Sequence, residues 1–156
     1  MSKLDISDSK IIKYQIEVPI GRPVDQLWAI MTEKINSWWM NDFRALGEGS
    51  KVSLDAQVGG MLIESDSNGG SLEWYRVQMA APPKSLYLVG YLAPDWGGPT
   101  TSMLKLALEA DGDGSKLVIS DALTGNVTEK SAGSAMEGWQ MLFGDGLKKH
   151  AEAVAR

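Results

Sequence analysis

The sequence contains no cysteine and only one histidine, His150, among its 156 residues. Without cysteine there are no disulfides, no thiolate nucleophile and no cysteine-ligated metal, and a single imidazole excludes sites built from several. The glycine-rich stretch that ends at Lys51 lacks the spacing of a phosphate-binding loop. We therefore expect the protein to use no metal ion, no nucleotide and no covalently bound cofactor.

The chain also lacks basic runs and long apolar runs. Its 15 lysines and arginines face 20 aspartates and glutamates, and the formal charge of −5 argues against a nucleic-acid partner. No segment approaches the ~20 consecutive apolar residues of a membrane-spanning helix, and the residues after Met1 lack the apolar run of a signal peptide. These absences predict a cytoplasmic protein with neither a nucleic-acid nor a membrane partner. They leave open whether it is a monomer or a homodimer.

The length of the chain suits one domain with a sizeable core. Residues 1–9 are polar and are expected to form a flexible tail, which leaves residues 10–156 for the domain. From Lys10 onward apolar and polar residues alternate, which predicts a half-buried strand. Pro19 and Gly21 are expected to end this strand.

Two short helices and six strands are predicted to follow. Pro23 suits the first position of a helix whose apolar face includes Leu27 and Met31. A second helical stretch is expected over residues 33–39. Alternating apolar residues then predict strands over residues 51–58, 61–66, 72–80, 86–92, 102–109 and 117–122, separated by turns rich in glycine and proline. This order, with a final helix, indicates the α+β class and an antiparallel meander with helices on one side.

The final helix is predicted over residues 126–154. Apolar or small residues recur there at intervals of three and four, so one stripe of the helix should face the sheet. Asn126 and Glu129 have the spacing of a capping box, and Ser131 or Ser134 is the alternative N-cap. Two bulky aromatic side chains, Trp139 and Phe143, lie on this stripe. They should therefore determine the shape of the space between helix and sheet.

Five short fragments occur in an order typical of one superfamily. They are Leu27-Trp28, Trp38-Trp39, Gly59-Gly60, Pro82-Pro83 and Gly138-Trp139. Together they resemble the START-like helix-grip superfamily and, within it, small stand-alone proteins similar to the C-terminal domain of the heat-shock-protein-90 ATPase activator. The resemblance extends from Lys10 to about Glu152. It implies a curved antiparallel sheet of about seven strands around the C-terminal helix, with two short helices after the first strand.

The resemblance also carries expectations about function. Members of this superfamily hold apolar or amphipathic ligands between sheet and helix, and a minority catalyse cyclisation, dehydration or hydrolysis there. It therefore implies that this protein binds a small apolar or aromatic molecule. One alternative is an enzyme that acts on an apolar substrate in the same cavity. The other is a chaperone-accessory protein, although the chain is too short to include the activator's additional N-terminal domain.

Bulky side chains that face the space between sheet and helix are expected to contact the ligand. The expected contacts are Met136, Trp139 and Phe143 from the helix, Tyr75 and Met79 from the sheet, and Trp39, Phe43 and Trp96 near the mouth. The same side chains would also suit a solid core, so the sequence leaves open whether the cavity is open or filled.

Three ionisable side chains are weak candidates for acid–base catalysis. Alternation places Glu73 and Asp121 on inward faces of their strands, close to the strand ends. His150 lies in the last turns of the helix, where its main expected role is to complement the helix dipole. Ser102 and Lys105 match a Ser-x-x-Lys pattern, but on a strand they point to opposite faces, which argues against a catalytic pair.

Overall fold

A computed structural model describes residues 2–155; Met1, where the predicted tail begins, and Arg156, where the predicted domain ends, lie outside the described residues. Residues 2–9 are exposed and have no regular secondary structure. The strands are β1 (Lys10–Ile20), β2 (Lys51–Leu54), β3 (Met61–Ser65), β4 (Ser71–Ala81), β5 (Ser85–Leu92), β6 (Thr100–Asp111) and β7 (Gly114–Gly125). The helices are α1 (Val24–Thr32), α2 (Ile35–Trp38), α3 (Glu129–Met141) and α4 (Lys149–Ala153), with a π-helical segment (Leu142–Lys148) between the last two. Single 3-10 turns occupy Asn41–Phe43 and Pro94–Trp96.

The strands form one antiparallel sheet in the order β1-β7-β6-β5-β4-β3-β2. Strands β2 to β7 follow one another as a meander, and β1 joins the sheet beside β7, with Ile16 opposite Ile119. Helix α1 contacts β6 and β7, while α3 and the π-helical segment contact β1. The predicted α+β class, the seven-stranded antiparallel sheet and the helix-grip arrangement are confirmed.

The two halves of the C-terminal helix pack differently against the sheet. In the π-helical segment and α4, Leu142, Leu147 and Ala151 are buried within the main core. In α3 the only buried residue is Ala132, although apolar side chains recur along it. The C-terminal half of the helix is therefore fixed by tight packing, and the N-terminal half spans a space above the sheet. No helix within residues 2–155 combines the length and the apolar character needed to cross a membrane.

The first strand and the first helix differ from the predictions at their boundaries. β1 continues through Pro19 to Ile20, which is buried opposite Ser115. Because β1 is an edge strand, a proline without an N–H is tolerated there. Helix α1 begins at Val24, and Pro23 is its N-cap with extended backbone (ψ 152°) rather than its first residue.

The N-cap of α3 is Thr128. Its side-chain oxygen accepts a hydrogen bond from the Ser131 N–H at 3.1 Å, and the Ser131 hydroxyl accepts one from the Thr128 N–H at 2.9 Å. This reciprocal pair is a capping box that begins the helix at Glu129. The predicted N-caps Asn126, Ser131 and Ser134 are therefore wrong, because Thr128 is the residue with extended backbone directly before the helix.

A first β-bulge in β4 changes which side chains point towards the helix. Tyr75 and Glu73 pair with consecutive residues of β3, so Trp74 is an extra residue. Trp74 and Tyr75 both pack against the core. Glu73 lies opposite Ile63, whose neighbours in β3 are buried, so alternation turns Glu73 away from the core. The predicted inward orientation of Glu73 is wrong because the bulge shifts the alternation by one residue.

A second bulge in β4 has the same effect on Met79. Val77 pairs with Leu88, whereas Met79 pairs with Tyr87, which leaves Gln78 as the extra residue. Val77 is buried, and Met79 is 50% exposed. The predicted cavity position of Met79 is therefore wrong, since the extra residue turns its side chain to the outer face of the sheet.

Candidate functional site: a cavity between the sheet and the C-terminal helix

A cavity of about 440 Å³ lies where α3 spans the sheet. Its lining comes from β4, β5, β6, β7, α3 and the start of the π-helical segment, and from the segments that follow α2, β5 and β7. The residues that line it are Trp39, Asp42, Phe43, Arg44, Ala45, Leu72, Glu73, Trp74, Tyr75, Gly90, Tyr91, Leu92, Trp96, Gly97, Thr100, Ser102, Asp121, Leu123, Asn126, Val127, Ser131, Ala135, Gly138, Trp139 and Leu142. A volume of this size is in the range of small-molecule sites.

The walls of the cavity are part of a continuous series of aromatic rings. Neighbouring centroids are 5.6–6.0 Å apart, within the range of favourable tilted contacts. In order of contact the rings are Trp74, Trp39, Trp38, Phe143, Trp139 and Tyr75. Trp38 and Phe143 are buried behind the wall, and the other four rings border the cavity. The wall is therefore apolar and held in place from behind.

Polar groups converge at one end of the cavity, around Asp121. Asp121 is only 4% exposed, and its carboxylate accepts hydrogen bonds from the Tyr14 hydroxyl at 2.6 Å and from the Ser102 hydroxyl at 2.7 Å. The Tyr75 hydroxyl lies 2.8 Å from Ser102 Oγ. Gly90 makes room for the Tyr75 ring, because a Cβ there would lie 2.8 Å from the ring. We call Asp121, Tyr14, Ser102 and Tyr75 the floor cluster.

The environment of the floor cluster shifts the pKa values of its members. Burial raises the pKa of Asp121 above its ordinary value, and the hydrogen bonds from Tyr14 and Ser102 oppose this only in part. Burial raises the pKa of Tyr14 most, followed by its hydrogen bond to Asp121 and the charge of that carboxylate. Burial and the same charge raise the pKa of Tyr75. Both tyrosines are therefore neutral hydroxyls at physiological pH.

A second buried carboxylate, Glu64, holds the loop that forms one side of the cavity. It is fully buried and accepts four hydrogen bonds: from the N–H groups of Ala45 (3.0 Å) and Leu46 (2.8 Å), the Ser50 hydroxyl (2.7 Å) and the Trp74 indole (3.1 Å). Burial by itself raises the pKa of Glu64, but these bonds outweigh it and the pKa is lowered. Glu64 therefore fixes the backbone beside the cavity and orients one wall indole.

Arg44 reinforces the same loop. Its two terminal nitrogens donate to the carbonyl oxygens of Ser50 (2.8 Å), Asn36 (2.9 Å) and Trp39 (2.8 Å), and to Asn36 Oδ1 (2.9 Å). Its Nε is buried without a hydrogen-bond partner. All four acceptors are neutral oxygens, so the guanidinium cross-links the segment after α2 without meeting a carboxylate.

Exposed apolar side chains surround the mouth of the cavity. Trp96 is 55% exposed and follows β5 in a 3-10 turn, and Tyr91 is exposed nearby in the sequence. The loop is tied down by Asn126, whose amide donates to the carbonyl oxygens of Gly97 (3.3 Å) and Gly98 (3.2 Å). Asn126, predicted as a helix cap, therefore fastens the mouth loop.

The structure brings most of the predicted ligand contacts together. Trp39, Phe43, Tyr75, Trp96 and Trp139 line the cavity. The other three do not: Met136 packs partly buried against the core, Phe143 lies behind the wall, and Met79 is on the outer face. For Phe143 the reason is its position in the tightly packed half of the helix, where the stripe meets α2 instead of the cavity. That the lining residues bind a ligand stays a prediction.

The three catalytic candidates lie in different surroundings. Asp121 is inside the cavity, as alternation predicted. Glu73 borders the cavity, but its carboxylate is bound by the exposed Arg76 at 2.7 Å. His150 is not among the lining residues, and its Nε2 lies 3.2 Å from the Ser37 hydroxyl. Only Asp121 therefore combines burial with access to the cavity.

Sequence reasoning missed Tyr14, Ser102 and Glu64. Tyr14 lies on the predicted inward face of β1, but its partner Asp121 is 107 positions away along the chain. Ser102 begins an inward series with Leu104, so its face was readable, although its partners were not. Lys105 points to the other side, where its Nζ lies 5.1 Å from the centre of the Tyr87 ring.

Metal ligands do not converge anywhere in residues 2–155, where no group of three or more aspartate, glutamate or histidine side chains has a suitable arrangement. The expected absence of a metal, nucleotide and covalent cofactor stays a prediction. The groups that line the cavity and could interact with a ligand are a carboxylate, hydroxyls and aromatic rings.

The fold and the cavity define a helix-grip protein of the α+β class. The sequence matches no family model and no curated protein. Solved structures do match. A protein from Mesorhizobium loti has a TM-score of 0.68 at 22% identity, over 93% of this chain and 100% of that one. An uncharacterised protein from Rhizobium leguminosarum has a TM-score of 0.73 at 17% identity, over 96% and 100% of the two chains.

One similar structure bears on the resemblance drawn from the sequence. The Aha1 dimer from Colwellia psychrerythraea has a TM-score of 0.61 at 18% identity, and the match covers 91% of this chain and 97% of that chain. At such identities the likeness shows the fold alone. The helix-grip fold that the sequence implied is thus supported by the structure itself and by its similarity to solved structures. Membership of a particular family stays a prediction.

Proposed function

We propose that the protein binds a small apolar or aromatic molecule in the cavity between the sheet and the C-terminal helix. The observation that carries the proposal is a cavity of about 440 Å³ that remains open although the surrounding side chains are bulky. Gly90 and Gly138 line it, and small residues at those places keep it from being filled. Apolar walls with a few convergent polar groups are typical of ligand sites.

The aromatic wall gives such a ligand a rigid surface. Because the rings contact one another and Phe143 and Trp38 support them from behind, little side-chain freedom is lost on binding. Each ring also presents a π face on which a planar ligand can stack. The wall therefore favours flat, aromatic or similarly rigid molecules over flexible chains.

Binding is tested with N-phenyl-α-naphthylamine, a neutral aromatic probe whose emission rises in apolar surroundings. Four of the six tryptophans (Trp39, Trp74, Trp96 and Trp139) line the cavity, so bound probe should quench indole emission by energy transfer. We expect saturable binding with both signals sharing one dissociation constant. Absence of saturable binding, both for this probe and for smaller aromatic alcohols, would argue against the proposal.

Two glycine variants on the same helix provide the control. Gly138 lines the cavity, and a Cβ there would lie 3.6 Å from the Phe43 ring, so Gly138→Leu extends a side chain into the space. Gly133 has no atom within 4 Å of an added Cβ and does not line the cavity, so Gly133→Leu is the matched change. Gly138→Leu should weaken probe binding by about tenfold or more, a loss of ~1.4 kcal/mol, and Gly133→Leu should not. Equal affinities would place the probe outside the cavity.

A second candidate function is acid–base catalysis on such a molecule. The observation in its favour is that Asp121, a carboxyl group with a raised pKa, lines an apolar cavity. In that reading Asp121 exchanges a proton with the substrate, and Ser102 and Tyr75 relay it. An enzyme would convert a bound compound in wild-type protein and leave it unchanged in Asp121→Asn, as followed by mass spectrometry; unchanged compound in both supports binding alone.

The chaperone-accessory role is the third function considered. The likeness to the Aha1 dimer is a likeness of fold, and it identifies no partner for this chain. Co-purification with a heat-shock protein 90 at a defined stoichiometry would favour this role. Its absence would leave the cavity as the functional feature.

A further inference from the structure

The positions of the hydroxyl hydrogens in the floor cluster follow from counting donors. Ser102 has one hydroxyl hydrogen, which it donates to Asp121, so the Tyr75 hydroxyl 2.8 Å away must donate to Ser102. Tyr14 donates its own hydrogen to Asp121. All three hydroxyl hydrogens are thus used within the cluster when Asp121 is ionised. What remains for a ligand is a set of oxygen lone pairs, so the ligand must bring the donor.

The charge at the floor has the same preference. The charged residues among the lining are Asp42, Glu73, Asp121 and Arg44. Glu73 is paired with Arg76 at 2.7 Å, so its charge is already neutralised. The terminal nitrogens of Arg44 donate to neutral oxygens of the loop, its Nε has no hydrogen-bond partner, and it forms no ion pair with Asp121. Among the described residues, no lysine, arginine or histidine nitrogen lies within 4.0 Å of the Asp121 carboxylate. The negative charge of the floor is therefore not neutralised by the protein.

The aromatic rings next to the floor suit a cation as well. Tyr75 and Trp139 border the cavity with their centroids 6.0 Å apart, and Asp121 lines the same cavity. The face of an aromatic ring attracts a cation, most strongly where water is excluded. A carboxylate and ring faces together offset the loss of hydration that an ammonium group suffers in an apolar site.

We propose that the ligand of this cavity is an aromatic or apolar molecule that carries a protonated amine. The amine lies at the floor cluster, within hydrogen-bonding reach of Tyr75 and near Asp121, and the apolar body lies between the aromatic walls. This inference rests on the proposed function and narrows its ligand class. Carboxylates on the same apolar body are disfavoured, because they bring a negative charge and no donor to a floor that offers only acceptors.

Three probes that share one ring system test the inference by calorimetry at neutral pH: α-naphthylmethylamine, α-naphthylmethanol and α-naphthoate. The amine should bind at least about tenfold more tightly than the carboxylate, a difference of ~1.4 kcal/mol, and the affinity of the alcohol should lie between the two. If all three bind alike, or the carboxylate binds best, the inference is wrong and the proposed function stands. If none binds, the proposed function fails, and the inference with it.

Two variants separate the roles of charge and hydrogen bonding. Asp121→Asn should reduce the affinity for the amine to about that for the alcohol, because the charge is removed. Tyr75→Phe keeps the charge but removes the acceptor, so it should weaken the amine and the alcohol alike and leave the carboxylate unaffected. Circular dichroism confirms that each variant is folded. An undiminished preference for the amine in a folded Asp121→Asn protein would overturn the inference.

Discussion

Replacing Glu64 by glutamine is expected to destabilise the protein strongly, although the two side chains have nearly the same shape. In the native protein one carboxylate oxygen faces the Ala45 N–H and the Trp74 indole, and the other faces the Leu46 N–H and the Ser50 hydroxyl. Glu64 has no exposed surface, so water cannot replace a lost partner. An amide offers one oxygen to these four donors and adds two hydrogens of its own.

The least unfavourable arrangement turns the new NH2 group towards Leu46 and Ser50. The Ser50 hydroxyl can rotate and accept, but the Leu46 N–H is fixed in the backbone and is left without a partner. We expect the free energy of unfolding to fall by about 2–4 kcal/mol, because an unpaired buried donor costs about 1–3 kcal/mol and a hydrogen bond to a charged group contributes about 1.5–3 kcal/mol. The loss is structural, since Glu64 does not line the cavity.

Urea denaturation of Glu64→Gln measures this loss, and Glu48→Gln is the matched control. Glu48 is exposed in the same loop, so its change should stay within about 0.5 kcal/mol of the wild type. Similar small effects in both variants would refute the assignment of Glu64 as the anchor of the loop.

The pH dependence gives an independent check on Glu64. Its pKa is lowered in the folded state from an ordinary value of 4.5, so its contribution to stability is present above that pH. The contribution is lost as the pH falls through the lower, folded pKa. The difference in stability between wild type and Glu64→Gln should therefore be constant above pH 4.5 and shrink below it. A difference that persists unchanged in acid would contradict the reasoning.

Three further predictions concern the helix and the floor cluster. Gly146→Ala should cost about 1–3 kcal/mol, because its Cβ would lie 2.8 Å from the Trp38 carbonyl oxygen, whereas Gly133→Ala, in open space, should stabilise by up to ~1 kcal/mol; equal melting temperatures would contradict this. Thr128→Ala should cost about 1 kcal/mol in urea denaturation through loss of the N-cap, and no effect would refute the cap. For Asp121 the folded pKa is raised above 3.8, so the folded state holds a proton that the unfolded chain has lost. Between pH 3.8 and the higher folded pKa, the wild type should therefore lose stability relative to Asp121→Asn as the pH rises. The opposite slope would refute the raised pKa.

The regular elements were predictable because burial imposes a period on the sequence. Alternation in β1 and in β7 placed Ile16 and Ile119 inward, and spacing of three and four placed Leu142 and Leu147 on the inner side of the helix. Asp121 followed from the same alternation. These predictions depend only on which face of an element is apolar, and a single sequence contains that information.

The errors arose where one residue interrupts a period. The bulges in β4 add Trp74 and Gln78, and neither residue type indicates a bulge, so the orientations of Glu73 and Met79 were predicted wrongly. The prediction of the floor cluster was incomplete for another reason. Tyr14 meets Asp121 only because β1 pairs with β7, and these are the first and the last strands along the chain. Local spacing contains no information on such a contact.

The two buried carboxylates in residues 2–155, Glu64 and Asp121, have opposite pKa shifts. The nature of their hydrogen-bond donors indicates which one can respond to a ligand. Two of the four donors to Glu64 are backbone N–H groups, which cannot turn away, and they hold its charge in one fixed arrangement. Asp121 is held mainly by side-chain donors, among them the hydroxyls of Tyr14 and Ser102, which can rotate to accept as well as donate. Because burial disfavours the charged form of Asp121, a cation or a proton brought to this carboxylate relieves part of that cost. Glu64 therefore holds the loop and the Trp74 indole beside the cavity in place. Asp121 is the carboxylate whose protonation and hydrogen bonding a bound molecule can change.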